Sequence, residues 1–292
     1  MEQKKTKIKV ERKPEWLKVR LHNTKQLNYV KKTLNSLKLH TVCEAANCPN
    51  RVECYSSKTA TFMILGQTCT RHCKFCNVTD GQPAHVDPEE PKRVAEAVKS
   101  LGLKYAVITS VTRDDLADGG AAHFKSVIES IRALTPDVKV EVLIPDFQGN
   151  EEALNLVINA KPDVINHNVE TVPRLYDTIR PEAEYKQSLE VITRIKASGI
   201  MSKSGIMLGL GESDEEIRQT IKDLKDAGCD ILTVGQYLPP SQDHANLVNY
   251  VTPDQFKVYE DYAVNLGYHG VAAGPRVRSS YNAGKVYDGM DI

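Results

Sequence analysis

From residue 59 onward, short β-branched apolar runs alternate with longer stretches in which apolar positions recur every three or four residues. That alternation predicts repeated β-α units around a parallel sheet. The strand candidates are TATFMIL (59–65), YAVITSV (105–111), VKVEVLI (138–144), DVINHNV (163–169), KSGIMLGL (203–210) and ILTVGQYL (231–238). Six strands are fewer than the eight that a closed β/α barrel requires, so the expectation is a partial (β/α)6 TIM-type barrel. A further short apolar run, YHGVAAGP, follows without a clear assignment.

The helices between the strands carry their own punctuation. Ser213 with Glu216 forms a capping-box pattern, Ile217, Ile221 and Leu224 make an apolar stripe, and Gly228 supplies the stop. Thr252 with Gln255 repeats the box, with Pro253 at the first helical position and Phe256, Tyr259, Ala263 and Leu266 on one face before Gly267. The first forty residues show no such alternation, and they predict an extended segment followed by a helix over 25–37. The pattern divides the chain into an N-terminal extension (1–58), a barrel (59–270) and a C-terminal segment (271–292) that closes the site.

Composition adds limits. The chain has 292 residues, 41% of them hydrophobic, enough for a substantial core. Its 38 basic and 38 acidic residues cancel, which argues against a nucleic-acid partner or an anionic membrane surface as the basis of function. No apolar stretch is long enough to span a bilayer, and the charged start lacks the apolar centre of a secretory signal.

Six of the seven cysteines fall into two triads. Cys69, Cys73 and Cys76 read C-x3-C-x2-C in CTRHCKFC, and Cys43, Cys48 and Cys54 read C-x4-C-x5-C in CEAANCPNRVEC. Three thiolates satisfy three corners of a cuboidal iron-sulfur cluster and leave one iron open, whereas electron-carrier clusters are normally held by four cysteines. Structural zinc favours four ligands with C-x2-4-C pairing, which neither triad offers. Disulfides belong to oxidising compartments and small secreted scaffolds, so unpaired triads point to the cytoplasm. Cys229, between a helix end and an apolar run, reads as a buried structural thiol.

C-x3-C-x2-C after a first strand, with Phe75 before the last cysteine, resembles the signature of the radical S-adenosylmethionine (SAM) enzymes. With the upstream triad and a C-terminal RSSY (Arg278 to Tyr281), the chain resembles the lipoyl synthase family, and the likeness runs through ATFMILG, RDDLADGG, NHNVETV, IMLGLGE and GQYL. The resemblance implies insertion of two sulfur atoms at C6 and C8 of a protein-bound octanoyl-lysine. It implies two [4Fe-4S] clusters and S-adenosyl-L-methionine as cofactors. Cys69, Cys73 and Cys76 would hold the radical-generating cluster, and Cys43, Cys48, Cys54 and Ser280 an auxiliary cluster that donates sulfur. The implied partners are an octanoylated lipoyl carrier domain (a dehydrogenase E2 subunit or the glycine cleavage H protein), an electron donor such as flavodoxin or ferredoxin, and iron-sulfur assembly proteins.

Several strand-end residues are candidates for cofactor contact. Asn168 and Glu170, two apart, share a strand face and suit the ribose hydroxyls or a purely structural capping role. Gly209, with Gly205 and Glu212 in IMLGLGE, would let backbone approach the adenine. Asp115, with Asp114 and Asp118, suits either the ammonium of methionine or a solvated helix start. Arg180 is a candidate for the methionine carboxylate, or a surface arginine. His167 reads as a hydrogen-bonded core residue, and nothing assigns chemistry to His244. Biotin synthase shares the 69–76 pattern but the upstream triad and RSSY argue against it; a methylthiotransferase would space its extra cysteines more widely. A non-enzymatic iron-sulfur scaffold would have no need of nucleoside-contacting strand ends.

Overall fold

The computed structural model describes residues 13–18, 24–56 and 59–290. All six expected strands form. They follow a two-residue strand β1 (His40–Thr41) and are, with the short β3 and β4, β2 (Thr61–Ile64), β3 (Thr68–Cys69), β4 (Thr79–Asp80), β5 (Tyr105–Ser110), β6 (Lys139–Leu143), β7 (Val164–Asn166), β8 (Met201–Leu208) and β9 (Ile231–Gln236). A last strand, β10 (Gly270–Gly274), pairs in parallel with β9. The main sheet runs β1-β2-β5-β6-β7-β8-β9-β10, parallel throughout except for β1, which lies antiparallel on β2. Among the described residues the barrel thus has seven parallel strands rather than six, and it stays open, because β1 and β10 end the order without pairing to each other.

The additional strand escapes the pattern because GVAAG lacks the branched residues that mark its neighbours. Its small residues have a packing reason. A Cβ on Gly270 would stand 2.5 Å from the Val286 carbonyl oxygen, and one on Gly235 of β9 would stand 2.3 Å from that of Val277. The C-terminal segment therefore lies directly on the inner edge of β9 and β10, where Val277 and Val286 join Ile231 and Ala272 in a small apolar cluster.

Helices α1 (Thr24–Ser36), α2 (Val42–Ala45), α3 (Arg51–Ser56), α4 (Glu90–Leu101), α5 (Ala121–Leu134), α6 (Glu151–Asn159), α7 (Tyr176–Ile179), α8 (Tyr185–Ala197), α9 (Asp214–Asp226), α10 (Pro253–Asn265) and α11 (Ala283–Tyr287) complete the chain. The capping box of α9 is present with both of its hydrogen bonds, and Thr252 accepts from the Gln255 amide at the start of α10. The helix expected over 25–37 is α1, which packs on α3 and α4. The extended stretch expected ahead of it falls mostly outside the described residues.

The floor of the barrel holds a paired buried charge. Lys203 Nζ lies 2.8 Å from Glu141 Oε1, both side chains sealed from solvent, and Tyr105 donates to Glu141 Oε2 at 2.6 Å. A buried charge is tolerated only when it is paired and hydrogen-bonded, which explains an acid inside the apolar run of β6. Helix α11 covers this end, its Tyr287 ring 5.8 Å from that of Tyr105.

Candidate active site

With the floor closed, the open end of the barrel holds a cavity of about 720 Å³. Both triads line it, together with Asn168, Glu170, Arg180, Ser279 and Ser280. The volume falls in the range of small-molecule sites, roughly 300–1,000 Å³. In a parallel barrel the loops after the strands gather at one face, so a loop following β2 is placed to carry a reactive centre.

The 69–76 loop is held by its own backbone and by its neighbours. Cys69 ends β3, which pairs with β4 beyond the loop, and the Cys76 amide donates to the Cys73 carbonyl at 3.1 Å. The Thr112 amide, two residues past β5, points at Cys69 Sγ across 3.3 Å. Arg71, between the first two cysteines, is buried and spends its guanidinium on two carboxylates: Asp114 at 2.7 and 3.0 Å, and Asp146 at 3.0 and 2.6 Å. This bidentate double grip ties the loop to the ends of β5 and β6. Burial alone would raise the Asp146 carboxyl, but Arg71 outweighs it and brings the group down to about 2. From the far side, His244 shares a 3.0 Å hydrogen bond with the Cys76 carbonyl, and the Ala245 amide donates to the Lys74 carbonyl at 2.8 Å.

The upstream triad reaches the same cavity on two short helices. Thr41 caps α2, which presents Cys43; the Cys48 amide returns to the Cys43 carbonyl at 3.1 Å; and Cys54 sits in α3, its amide on the Asn50 carbonyl at 2.9 Å. The left-handed backbone of Asn47, φ 46°, turns the chain between them.

The thiols are held largely out of water and close enough to one another to interact. Burial pushes Cys43 up to about 11 and Cys54 up to about 12, and the other sulfurs of their triad add to it. Burial likewise lifts Cys73 to about 11 and Cys76 to about 12, with their neighbouring sulfurs again adding. Sulfurs that disfavour one another's charge are stabilised by metal, which takes them as thiolates. Among the described residues no three His, Cys, Asp or Glu side chains are grouped to hold one metal ion. A cuboidal cluster asks for something else, one thiolate on each of several irons. Cys229 is buried and stands apart, its thiol 3.1 Å from the Ile231 carbonyl.

The strand-end candidates divide. Asn168 Nδ2 donates to Glu170 Oε1 at 3.0 Å, while Asn168 Oδ1 is buried without a protein partner. Burial raises the Glu170 carboxyl, and Arg180 and Asn168 act against that rise. Arg180 is buried rather than on the surface, donating to the carbonyls of Asn168 and Val169 and to the Tyr176 hydroxyl at 3.0–3.1 Å, with its Nε unpartnered. Burial opposes its charge, yet Tyr176, Glu170 and Cys73 keep its pKa above the usual value. Orphaned polar atoms on a cavity wall fit a polar ligand. His167 donates from Nδ1 to the Ile144 carbonyl, 3.0 Å away, and burial drives it down to about 4, so its ring is neutral.

Asp115 and Gly209 do not line the cavity. Asp115 pairs with Arg113 at 2.8 Å, and Asp118 caps the start of α5 by accepting from the Gly120 and Ala122 amides at 2.9 and 2.8 Å. Gly209 has φ 106° and lies where a Cβ would come within 2.4 Å of Gln236 Nε2. Arg71, Asp146, His244, Asn50 and Glu53 were not singled out as site residues by sequence reasoning. Arg71 was the most accessible of them, since it sits inside the C-x3-C spacing; its partners 43 and 75 residues away were not.

An open parallel barrel with a C-x3-C-x2-C loop at its mouth defines a radical SAM protein, and residues 63–235 match the profile of the Radical SAM superfamily. Solved structures agree in fold: HydG, a maturase of the [FeFe]-hydrogenase (TM-score 0.61, 16% identity, 95% of this chain and 62% of that one), and methylornithine synthase (TM-score 0.53, 13% identity, 90% and 82%). SuiB of Streptococcus suis bound to S-adenosylmethionine follows at TM-score 0.59 and 12% identity, over 72% of this chain and 48% of that one. Residues 1–48 match the profile of the N-terminal domain of lipoyl synthase. The lipoyl synthase of Alkaliphilus metalliredigens is 56% identical over 283 residues, 96% of this chain and 98% of that one. That of Caldanaerobacter subterraneus is 56% identical over 274 residues, 93% and 96%. The chain belongs to the lipoyl synthase family, whose members are radical SAM sulfur-inserting enzymes. Its cofactors are S-adenosylmethionine and a [4Fe-4S] cluster, with a second cluster carried by this family. Among the described residues, no helix is long and apolar enough to cross a membrane.

Proposed function

We propose that Cys69, Cys73 and Cys76 hold the radical-generating cluster, that Cys43, Cys48, Cys54 and Ser280 hold the auxiliary one, and that the shared cavity brings both to one acyl chain. The substrate is an octanoyl group on a lysine of a lipoyl carrier domain, modified at C6 and C8. The observation that carries this reading is that both triads and the RSSY serines line a single cavity. When bound, the first cluster with S-adenosylmethionine supplies hydrogen abstraction from the acyl carbons, and the auxiliary cluster is the sulfur-bearing substrate.

The chain's own residues bind and orient. Asn168 and Glu170 are placed for the ribose hydroxyls, Asn168 through its free Oδ1. Arg180 puts a cation beside Cys73 and suits the methionine carboxylate. Asp115 and Gly209 would act from outside the cavity lining, Asp115 by fixing Arg113, and Gly209 by its carbonyl, which accepts from the Val248 amide at 2.8 Å. The division into an extension (1–58), a barrel and a closing segment follows these roles, with the barrel running past the expected boundary at 270 to include β10, through Gly274. A flavodoxin or ferredoxin as reductant, and assembly proteins for the clusters, complete the proposal.

The test is anaerobic reconstitution, followed by incubation with reductant, S-adenosylmethionine and an octanoylated lipoyl-domain peptide. Mass spectrometry of the peptide is expected to show a gain of two sulfur atoms. Cleavage of S-adenosylmethionine with the peptide unchanged would refute the assignment.

A further inference from the structure

The segment bearing Ser280 approaches the upstream triad from the opposite end of the chain, and three side-chain contacts hold it there. Asn50 Nδ2 donates to the Arg276 carbonyl at 2.6 Å. Arg276 Nη1 donates to Glu53 Oε2 at 3.3 Å, and the Tyr281 hydroxyl donates to Glu53 Oε1 at 2.7 Å. These partners stand 223–228 residues apart in sequence. Two features make this more than incidental packing. The contacts bracket Ser280, one side chain before it and one just after, and Glu53 spends a different oxygen on each. Glu53 also precedes Cys54 on α3, so the group that grips the tail belongs to the helix that presents a triad sulfur.

The tail needs such a grip. Residues 279–282 form a turn, not a strand, and the backbone hydrogen bonds of residues 275–282 are local: Val277 to Gly274 at 3.1 Å, Tyr281 to Arg278 at 2.9 Å, and Lys285 and Val286 to Asn282 at 2.9 and 3.2 Å. Beyond it α11 is anchored on β10, at the closed end. The portion facing the triad is therefore positioned by side chains rather than by a sheet.

We propose that Glu53 is a positioning residue which, by holding Arg276 and Tyr281 on either side of Ser280, fixes the RSSY turn against the Cys43, Cys48 and Cys54 triad. The inference rests on the reading of Ser280 as the fourth ligand of the auxiliary cluster. Glu53 does not touch the cluster; it sets where the serine stands.

The experiment has two arms, on the full-length chain. In the first, hydrogen exchange is followed in the metal-free protein for the Val277 and Tyr281 amides, with the amides of β6 and β9 reporting on the fold. Hydrogen bonds to a charged group are worth enough that Glu53→Ala should speed exchange at both amides on the order of ten-fold, leaving the strands unaltered. Glu53→Gln, which keeps an acceptor for Tyr281, should fall between, and Tyr281→Phe should loosen the turn even if Glu53→Ala fails to fold. In the second arm, the protein is reconstituted anaerobically and iron release to a chelator is timed. Glu53→Ala and Ser280→Ala should both release auxiliary iron about ten times faster than the parent, while only Glu53→Ala changes exchange. Unchanged exchange in Glu53→Ala and Tyr281→Phe would overturn the proposal, as would a loosened turn with parental iron retention. Parental retention in Ser280→Ala would instead sink the serine as ligand, and the exchange arm would still decide whether Glu53 grips the tail.

Discussion

Asn168 and Glu170 show how far a residue-level argument reaches. Spacing of two places both on one face of a strand, and they do meet, at 3.0 Å. The route differs, however. Strand β7 ends at Asn166, and Glu170 takes left-handed backbone, φ 67°, bridging to Ile206 of β8. A period-two pattern carries the side, not the backbone turn that aims the carboxylate. Losing one buried partner of a ligand costs about 1–3 kcal/mol, so Asn168→Ala should weaken S-adenosylmethionine binding roughly 5-to-150-fold while both clusters still assemble. Calorimetric titration of the reconstituted variant checks this. Parental affinity would return the pair to a structural role.

Among the elements, the strands with branched residues were legible and the small-residue β10 was not, because packing against the C-terminal segment selects glycine and alanine where propensity alone would ask for valine. The helix caps of α9 and α10 were legible for the opposite reason: a cap is a local hydrogen bond, complete within four residues. The Arg71 grip lies beyond that reach, since it joins a loop to the ends of two strands. Its effect has a sign that can be measured. Asp146 faces Arg71, which it shares with Asp114, and His167, which is neutral at physiological pH. Its pKa is lowered from 3.8 to about 2, so its ionised form favours the fold above pH ~4, and that contribution is lost as pH falls towards 2. The shift corresponds to about 2 kcal/mol of pH-dependent stabilisation by the ionised form. Asp146→Asn should lower unfolding free energy by about that amount at neutral pH, and the gap between parent and variant in urea titrations should close on acidification. A gap that stays constant down to pH 2 would show that the ionised pair is not what stabilises the loop.

At the scale of the whole molecule, the arrangement that matters is convergence. The 69–76 triad rides on the loop after β2, the 43–54 triad folds back on α2 and α3, and the RSSY turn returns from beyond β10, yet all line one cavity. The motifs were legible one by one in the sequence. Their meeting was not, because it depends on the open seam of the barrel, on the floor closed by Lys203, Glu141 and α11, and on contacts spanning more than 220 residues. Two cysteine sites on one cavity make sense if one activates the acyl chain and the other supplies its sulfur. The most direct test of that claim assembles the clusters with isotopically heavy sulfide, removes free sulfide, and runs the reaction on the octanoylated peptide. Heavy sulfur should appear at both new positions in the parent protein, and Cys43→Ala/Cys48→Ala/Cys54→Ala should cleave S-adenosylmethionine without adding any. Product carrying only light sulfur, or heavy product from the triple variant, would contradict the account.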